Sequence, residues 1–142
     1  MASRFLLALL LLCPTIAQAW TLEGDRIEQP LTTHAGDATR GEAIVGSRTT
    51  GLCMLCHALP GGNERQQGNI GPDLTAVGKR LNEAQLRARM VASREINPAS
   101  KMPGYFKSEG LINVSPTLHG VPILNAQQIE DVVAYLVTQT AR

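Results

Sequence analysis

The sequence predicts a small all-α domain, and three observations support this fold class. Capping patterns at Asn82 and Asn125 each precede apolar residues at helical spacing. Prolines and glycines interrupt the other apolar stretch, residues 111–122, and disfavour a β-sheet of any size. Aromatic residues make up only 4% of the chain, so the core needs another source of large apolar surface.

Residues 1–19 have the features of a signal peptide, which leaves residues 20–142 as one domain. Arg4 precedes an apolar run that is far shorter than the roughly 20 residues needed to cross a bilayer. The sequence Ala17-Gln18-Ala19 is typical of a cleavage site. We therefore expect a periplasmic protein without a membrane span. Cys13 would be removed with this segment. We expect no lipid on it, because the bulky leucine before it disfavours lipid attachment.

The charge of the exported chain argues against nucleic acid as a partner. Arg4 is one of thirteen Lys and Arg residues, so its removal leaves twelve against twelve Asp and Glu residues. Seven of these basic residues fall between Lys79 and Lys107. This stretch either forms a docking face or is an ordinary solvated surface.

One helix and two irregular stretches are predicted in the first half of the chain. Residues 20–33 form an irregular leader, and Asp37 then caps a helix over residues 38–47 that should end near Gly51. Gly41 lies within this helix, where a glycine often permits the close approach of another helix. Residues 60–72 are rich in Gly, Asn and Gln and are predicted to be a loop.

Two further helices are predicted in the second half. Asn82 opens a capping box for a helix that runs to about Ser93, before Pro98. Its apolar stripe would face the core, and its arginines would lie outside: Arg87, Arg89 and Arg94. Asn125 opens the capping box of the last helix, whose apolar face is the clearest in the chain.

The sequence Cys53-Met54-Leu55-Cys56-His57 is typical of a site of covalent haem attachment. Cys53 and Cys56 can each form a thioether with a haem vinyl group, and His57 is then placed to bind the iron. A zinc site would need two further ligands, and a redox-active cysteine pair would need a βαβ context. The motif therefore predicts one covalently bound haem c, which also supplies apolar surface for the core.

The iron has a second axial position, for which Met102 is the predicted ligand. It lies in a Lys-Met-Pro-Gly turn after a helix, where the proline restricts the backbone. His119 and His34 are rival ligands, whereas Met90 lies on a helical stripe and is more typical of core packing. Binding of both iron faces by a histidine and a methionine suits electron transfer better than peroxide chemistry.

A backbone carbonyl near Pro72, in Gly71-Pro72-Asp73-Leu74, is predicted to accept a hydrogen bond from Nδ1 of His57. Such a bond would fix the tautomer and the orientation of the imidazole. If it makes no such bond, this segment is an ordinary turn without a role at the haem.

These motifs resemble those of class I cytochromes c over nearly the whole exported chain. More narrowly, the sequence resembles the small monohaem subunits of the SoxAX cytochromes, which act in periplasmic sulfur oxidation. The Met-Pro turn and the C-terminal stretch point to these subunits, because the haem motif alone is common to many families. The matching stretches are residues 40–45, 68–74, 97–98, 102–106, 120–124 and 127–136.

The resemblance implies a small class I cytochrome c fold with helices packed around the haem, and His57 and Met102 as iron ligands. It also implies a larger haem-bearing SoxA-type subunit as partner and L-cysteine S-thiosulfotransferase as the activity. In that reaction, thiosulfate is joined to a cysteine of a carrier protein, and the two electrons released pass to an acceptor cytochrome. With Cys53 and Cys56 in thioethers, we expect no catalytic residue in this subunit.

Two alternatives remain open. A free-standing periplasmic electron carrier needs no dedicated partner, and a haem peroxidase needs a labile sixth ligand. Exposed apolar surface beyond that needed for haem packing would favour a partner subunit, and residues 20–31 and 111–124 are the candidates.

Overall fold

A computed structural model describes residues 20–62 and 64–141, so the predicted signal peptide lies outside the described residues. The described residues form no β-strand, only an isolated bridge between Glu23 and Arg26. The prediction of an all-α domain is confirmed. Four helices are present among the described residues: Ala38–Val45 (α1), Val77–Arg80 (α2), Glu83–Ile96 (α3) and Ala126–Val137 (α4). Short 3₁₀ turns lie at Cys53–Leu55, Glu64–Gln66 and Pro116–Leu118.

The predicted caps begin the three longer helices. The Asp37 side chain accepts the N–H of Arg40 at the start of α1, and Asn82 and Asn125 each form a complete capping box. The helix ends differ more from the predictions. Helix α1 already ends at Val45, whereas α3 continues past Ser93 until the proline after Asn97 disfavours helical backbone.

Helix α4 forms the centre of the core, because it packs against each of the other three helices. Ile129 and Val132 on its inner face are completely buried. A Cβ atom at Gly41 of α1 would lie only 1.9 Å from the carbonyl oxygen of Asp131 on α4. The prediction that Gly41 permits the close approach of another helix is therefore confirmed.

The predicted outward position of Arg87 on α3 is wrong. Its side chain is buried and forms an ion pair with Glu130 on α4, with 2.7 Å between Nε and Oε1. Arg87 also donates to the carbonyl of Ile27, and Glu130 accepts the N–H of Leu31. A buried charge needs such a partner, and this pair ties the irregular leader to α3 and α4. Arg94 is exposed, as predicted, whereas Arg89 is half-buried and lines a cavity.

No helix within the described residues is both long enough and apolar enough to cross a membrane.

Candidate haem-binding site

A cavity of about 690 Å³ brings the predicted haem residues together. Cys53, Cys56, His57 and Met102 all line it, although they come from two separate parts of the chain. The volume falls within the range of cofactor and small-molecule sites. Apolar side chains from the core form most of the wall, among them Val77, Leu81, Leu86, Met90, Val132 and Leu136.

A tight backbone turn places both cysteines and the histidine on the same cavity wall. Leu52 has a left-handed φ of 58° and directly precedes the 3₁₀ turn. The carbonyl of Cys53 then accepts the N–H groups of Cys56 and His57, at 3.1 and 2.9 Å. The two sulfurs and the imidazole can therefore meet a single planar ligand.

The imidazole of His57 is held in one orientation. Its Nδ1 lies 2.7 Å from the carbonyl oxygen of Pro72, which confirms the predicted hydrogen bond. Because a carbonyl can only accept, Nδ1 carries the hydrogen and Nε2 keeps its lone pair for a metal. Gly71 also contacts the ring: a Cβ there would lie 2.3 Å from Cε1 of His57. Sequence reasoning missed this requirement for glycine.

Met102 is a half-buried residue of the cavity wall, and the turn that carries it is attached to α3. The Oγ of Ser93 donates to the carbonyl of Met102 at 2.7 Å. The rivals His34 and His119 are exposed and do not line this cavity. Met90 does line it, but it is almost fully buried on α3, as expected of a core residue.

The charges around the cavity suit an anionic ligand. Arg80, Arg89 and Lys101 line the wall, whereas none of its lining residues is Asp or Glu. Arg89 reaches Asp25 with Nη2, at 3.4 Å, but its buried Nη1 has no hydrogen-bond partner among the described residues. A buried donor without an acceptor is costly, and the carboxylates of a haem are suitable acceptors. The apolar wall, the free imidazole nitrogen and the unpartnered arginine donor together fit a haem.

The environment of Cys53 disfavours a redox-active thiol. Burial raises the pKa of the Cys53 thiol to about 11, whereas disulfide exchange needs a thiolate. The described residues also contain no group of three or more His, Cys, Asp or Glu side chains that could hold a metal ion.

Of the two candidate partner surfaces, one is exposed. In the leader, Ile27 and Leu31 are packed into the core. The segment 111–123, in contrast, exposes five large apolar side chains: Leu111, Ile112, Leu118, Val121 and Ile123. We call this the apolar segment.

The basic stretch between Lys79 and Lys107 does not form a continuous exposed basic surface, because Arg87 within it is buried.

Comparisons with known proteins agree with the geometry. The model of the family described as "Cytochrome c" matches residues 38–140. The crystal structure of SoxXA from P. pantotrophus includes a chain that is 32% identical to this one, with a TM-score of 0.79. The match covers 91% of this chain and 100% of that chain. No curated protein matches the sequence significantly.

Proposed function

Because the chain belongs to the cytochrome c family and carries a covalently bound c-type haem, we propose that it is the electron-accepting subunit of a periplasmic thiosulfate-oxidising complex. In this reaction, L-cysteine S-thiosulfotransferase activity joins the outer sulfur of thiosulfate to a cysteine sulfur of a carrier protein. The new S–S bond replaces the S–H bond of that cysteine, whose proton is released together with two electrons. This subunit accepts the electrons one at a time.

The observation that carries the proposal is the convergence of Cys53, Cys56, His57 and Met102 on one cavity, in a chain with the class I cytochrome c fold. The two cysteines hold the haem through thioethers, and His57 and Met102 bind the iron. The haem iron, when bound, alternates between ferric and ferrous states and so stores one electron.

The residues of this chain control what the haem does. The Pro72 carbonyl keeps His57 in the tautomer that presents Nε2. Met102 would bind the iron together with His57, which would leave no open site for oxygen or peroxide. The apolar wall excludes water, and Arg89 offers its free N–H to a haem carboxylate.

The sulfur chemistry belongs to another subunit in this proposal. Cys53 and Cys56 are the only cysteines of the described residues, and both are used as thioethers. No thiolate then remains to attack or carry sulfur. A larger haem-bearing SoxA-type subunit supplies the catalytic group, and the resemblance to a chain of the SoxXA structure supports this partner.

The apolar segment also supports a partner subunit. It exposes five large apolar side chains within thirteen residues, whereas apolar residues on an ordinary protein surface are usually scattered singly.

In this proposal, residues 1–19 are a cleaved signal peptide and residues 20–142 form the mature periplasmic domain. An acceptor cytochrome then collects the electrons.

The proposal is tested by purifying the protein from the periplasm of its own cells. We expect a second haem-bearing subunit to co-purify, and thiosulfate with the carrier protein to reduce the haem of this subunit. The matched control uses carrier protein whose acceptor cysteine has been alkylated, which should leave the haem oxidised. A protein that purifies alone and is not reduced by this mixture is instead a free-standing electron carrier.

A further inference from the structure

We infer that Ser93, which lies next to a kink in α3, positions Met102 for iron binding. The inference rests on the proposed ligation of the iron by Met102. It is carried by the contacts between residues 90–93 of α3 and the turn at residues 102–105, which we call the ligand turn.

Helix α3 is interrupted where it meets the ligand turn. Ala92 has φ −129° and ψ 36°, outside the helical region. The carbonyl of Met90 accepts the N–H of Tyr105, at 2.8 Å, from the ligand turn. The kink thus coincides with a hydrogen bond from outside the helix.

The ligand turn lies directly on the helix backbone. A Cβ at Gly104 would be 2.8 Å from the carbonyl oxygen of Val91, so no side chain separates the two segments. Next to this contact, Ser93 is 4% exposed and its Oγ donates to the carbonyl of Met102 at 2.7 Å. The hydroxyl therefore fixes the backbone of the ligand residue itself.

This backbone contact matters because methionine is a flexible ligand. Its side chain has three rotatable bonds and ends in a weakly basic thioether, so the position of the sulfur depends on how firmly the backbone is held. When the Ser93 hydroxyl is removed, the ligand turn should open more often. A competing ligand should then replace the methionine sulfur more easily.

The test is an imidazole titration of the haem-loaded ferric Ser93→Ala variant. The charge-transfer absorption of the methionine–iron bond reports displacement of the sulfur. We expect the apparent affinity for imidazole to rise about fivefold, the equivalent of one net hydrogen bond. Ser93→Thr keeps the hydroxyl and should restore the wild-type affinity. Asp131→Asn weakens the α1–α4 contact away from the ligand turn, so its imidazole affinity should be unchanged.

Two outcomes separate this inference from the proposed function. If Met102→Leu abolishes the absorption but Ser93→Ala has the wild-type imidazole affinity, only the role of Ser93 is wrong. If Met102→Leu keeps the absorption, the proposed iron ligation is itself wrong. Should Ser93→Ala fail to take up haem, Ser93→Thr and Ser93→Val give the same comparison, since they have nearly the same shape and differ in the hydroxyl.

Discussion

Two neighbours of His57 set its orientation, each by direct contact with the ring. The Pro72 carbonyl accepts from Nδ1, and Gly71 leaves space where a larger residue would overlap Cε1. The first contact was predictable, because a metal-binding histidine usually donates its other ring hydrogen to a carbonyl or carboxylate. The second was not, because the spacing of residues in a sequence gives no distance between a ring and a distant backbone.

Arg89 should raise the reduction potential of the haem. Its positive charge disfavours the ferric state, which carries one more positive charge than the ferrous state. At an effective dielectric constant of about 20, a unit charge on the order of 10 Å from a redox centre contributes roughly 1.7 kcal/mol, or on the order of 70 mV for one electron. We therefore expect Arg89→Gln to lower the midpoint potential by several tens of millivolts in a spectroelectrochemical titration.

Two controls separate this effect from other consequences of the substitution. Arg94→Gln removes an exposed charge from the same helix and should change the potential much less. Asp25→Asn breaks the ion pair of Arg89 but keeps the arginine, so it should not lower the potential. Equal potentials in Arg89→Gln and wild type would show that Arg89 does not act on the haem.

The contact between α1 and α4 depends on the buried carboxylate of Asp131. It accepts two hydrogen bonds from the Arg40 guanidinium, each at 2.8 Å, and the backbone N–H of Asp37 at 2.9 Å. These bonds join the start of α1 to the neighbouring helix. The hydrogen bond from Arg40 is the main reason why the pKa of Asp131 is lowered from its ordinary value of 3.8.

The pH dependence of stability follows from this lowered pKa. A carboxyl group with a lower pKa in the folded than in the unfolded state stabilises the fold above its ordinary pKa, and this contribution is lost as the pH falls through the folded value. At pH 7, Asp131→Asn should lower the free energy of unfolding by about 1–3 kcal/mol. As the pH falls below about 4, this variant should lose less of its stability than wild type does, because it has no carboxylate to protonate at this position. Urea unfolding at several pH values measures both effects.

The exposed Glu95 on α3 provides the matched control, since Glu95→Gln removes a surface carboxylate of the same charge. Its unfolding curves should follow those of wild type at each pH. If Asp131→Asn and wild type lost stability in parallel below pH 4, the contact with Arg40 would not contribute to acid sensitivity.

The sequence predicted where helices begin better than how they continue. Asp37, Asn82 and Asn125 were recognisable as caps because capping is local, involving residues three positions apart. The kink at Ala92 and the burial of Arg87 could not be predicted in this way. Both depend on distant partners, the ligand turn and Glu130. Helix α2 is only four residues long, too short to show a helical repeat.

The haem should act as part of the core of the protein as well as its cofactor. Apolar side chains form most of the wall of the cavity of about 690 Å³. Without the haem this surface would face water, whereas a bound haem would cover it, which favours the folded state. The four predicted haem-site residues could be named from motifs, but the enclosing wall depends on how the helices pack.

A variant that cannot attach haem should therefore be poorly folded. We expect Cys53→Ser/Cys56→Ser to show no cooperative thermal transition by circular dichroism, since the bound haem contributes to folding stability. The haem-loaded wild type provides the reference. A double variant that melted cooperatively at the wild-type temperature would show that the core is complete without the cofactor.

If His57 and Met102 together close both faces of the haem iron, absorption spectra of two leucine variants should distinguish Met102 from Met90, the other methionine of the cavity wall. We predict that Met90→Leu keeps the methionine–iron charge-transfer absorption of the ferric protein and, when reduced, does not bind carbon monoxide. Met102→Leu should lose this absorption and bind carbon monoxide readily. Retention of the methionine signal in Met102→Leu, or its loss in Met90→Leu, would contradict the assignment.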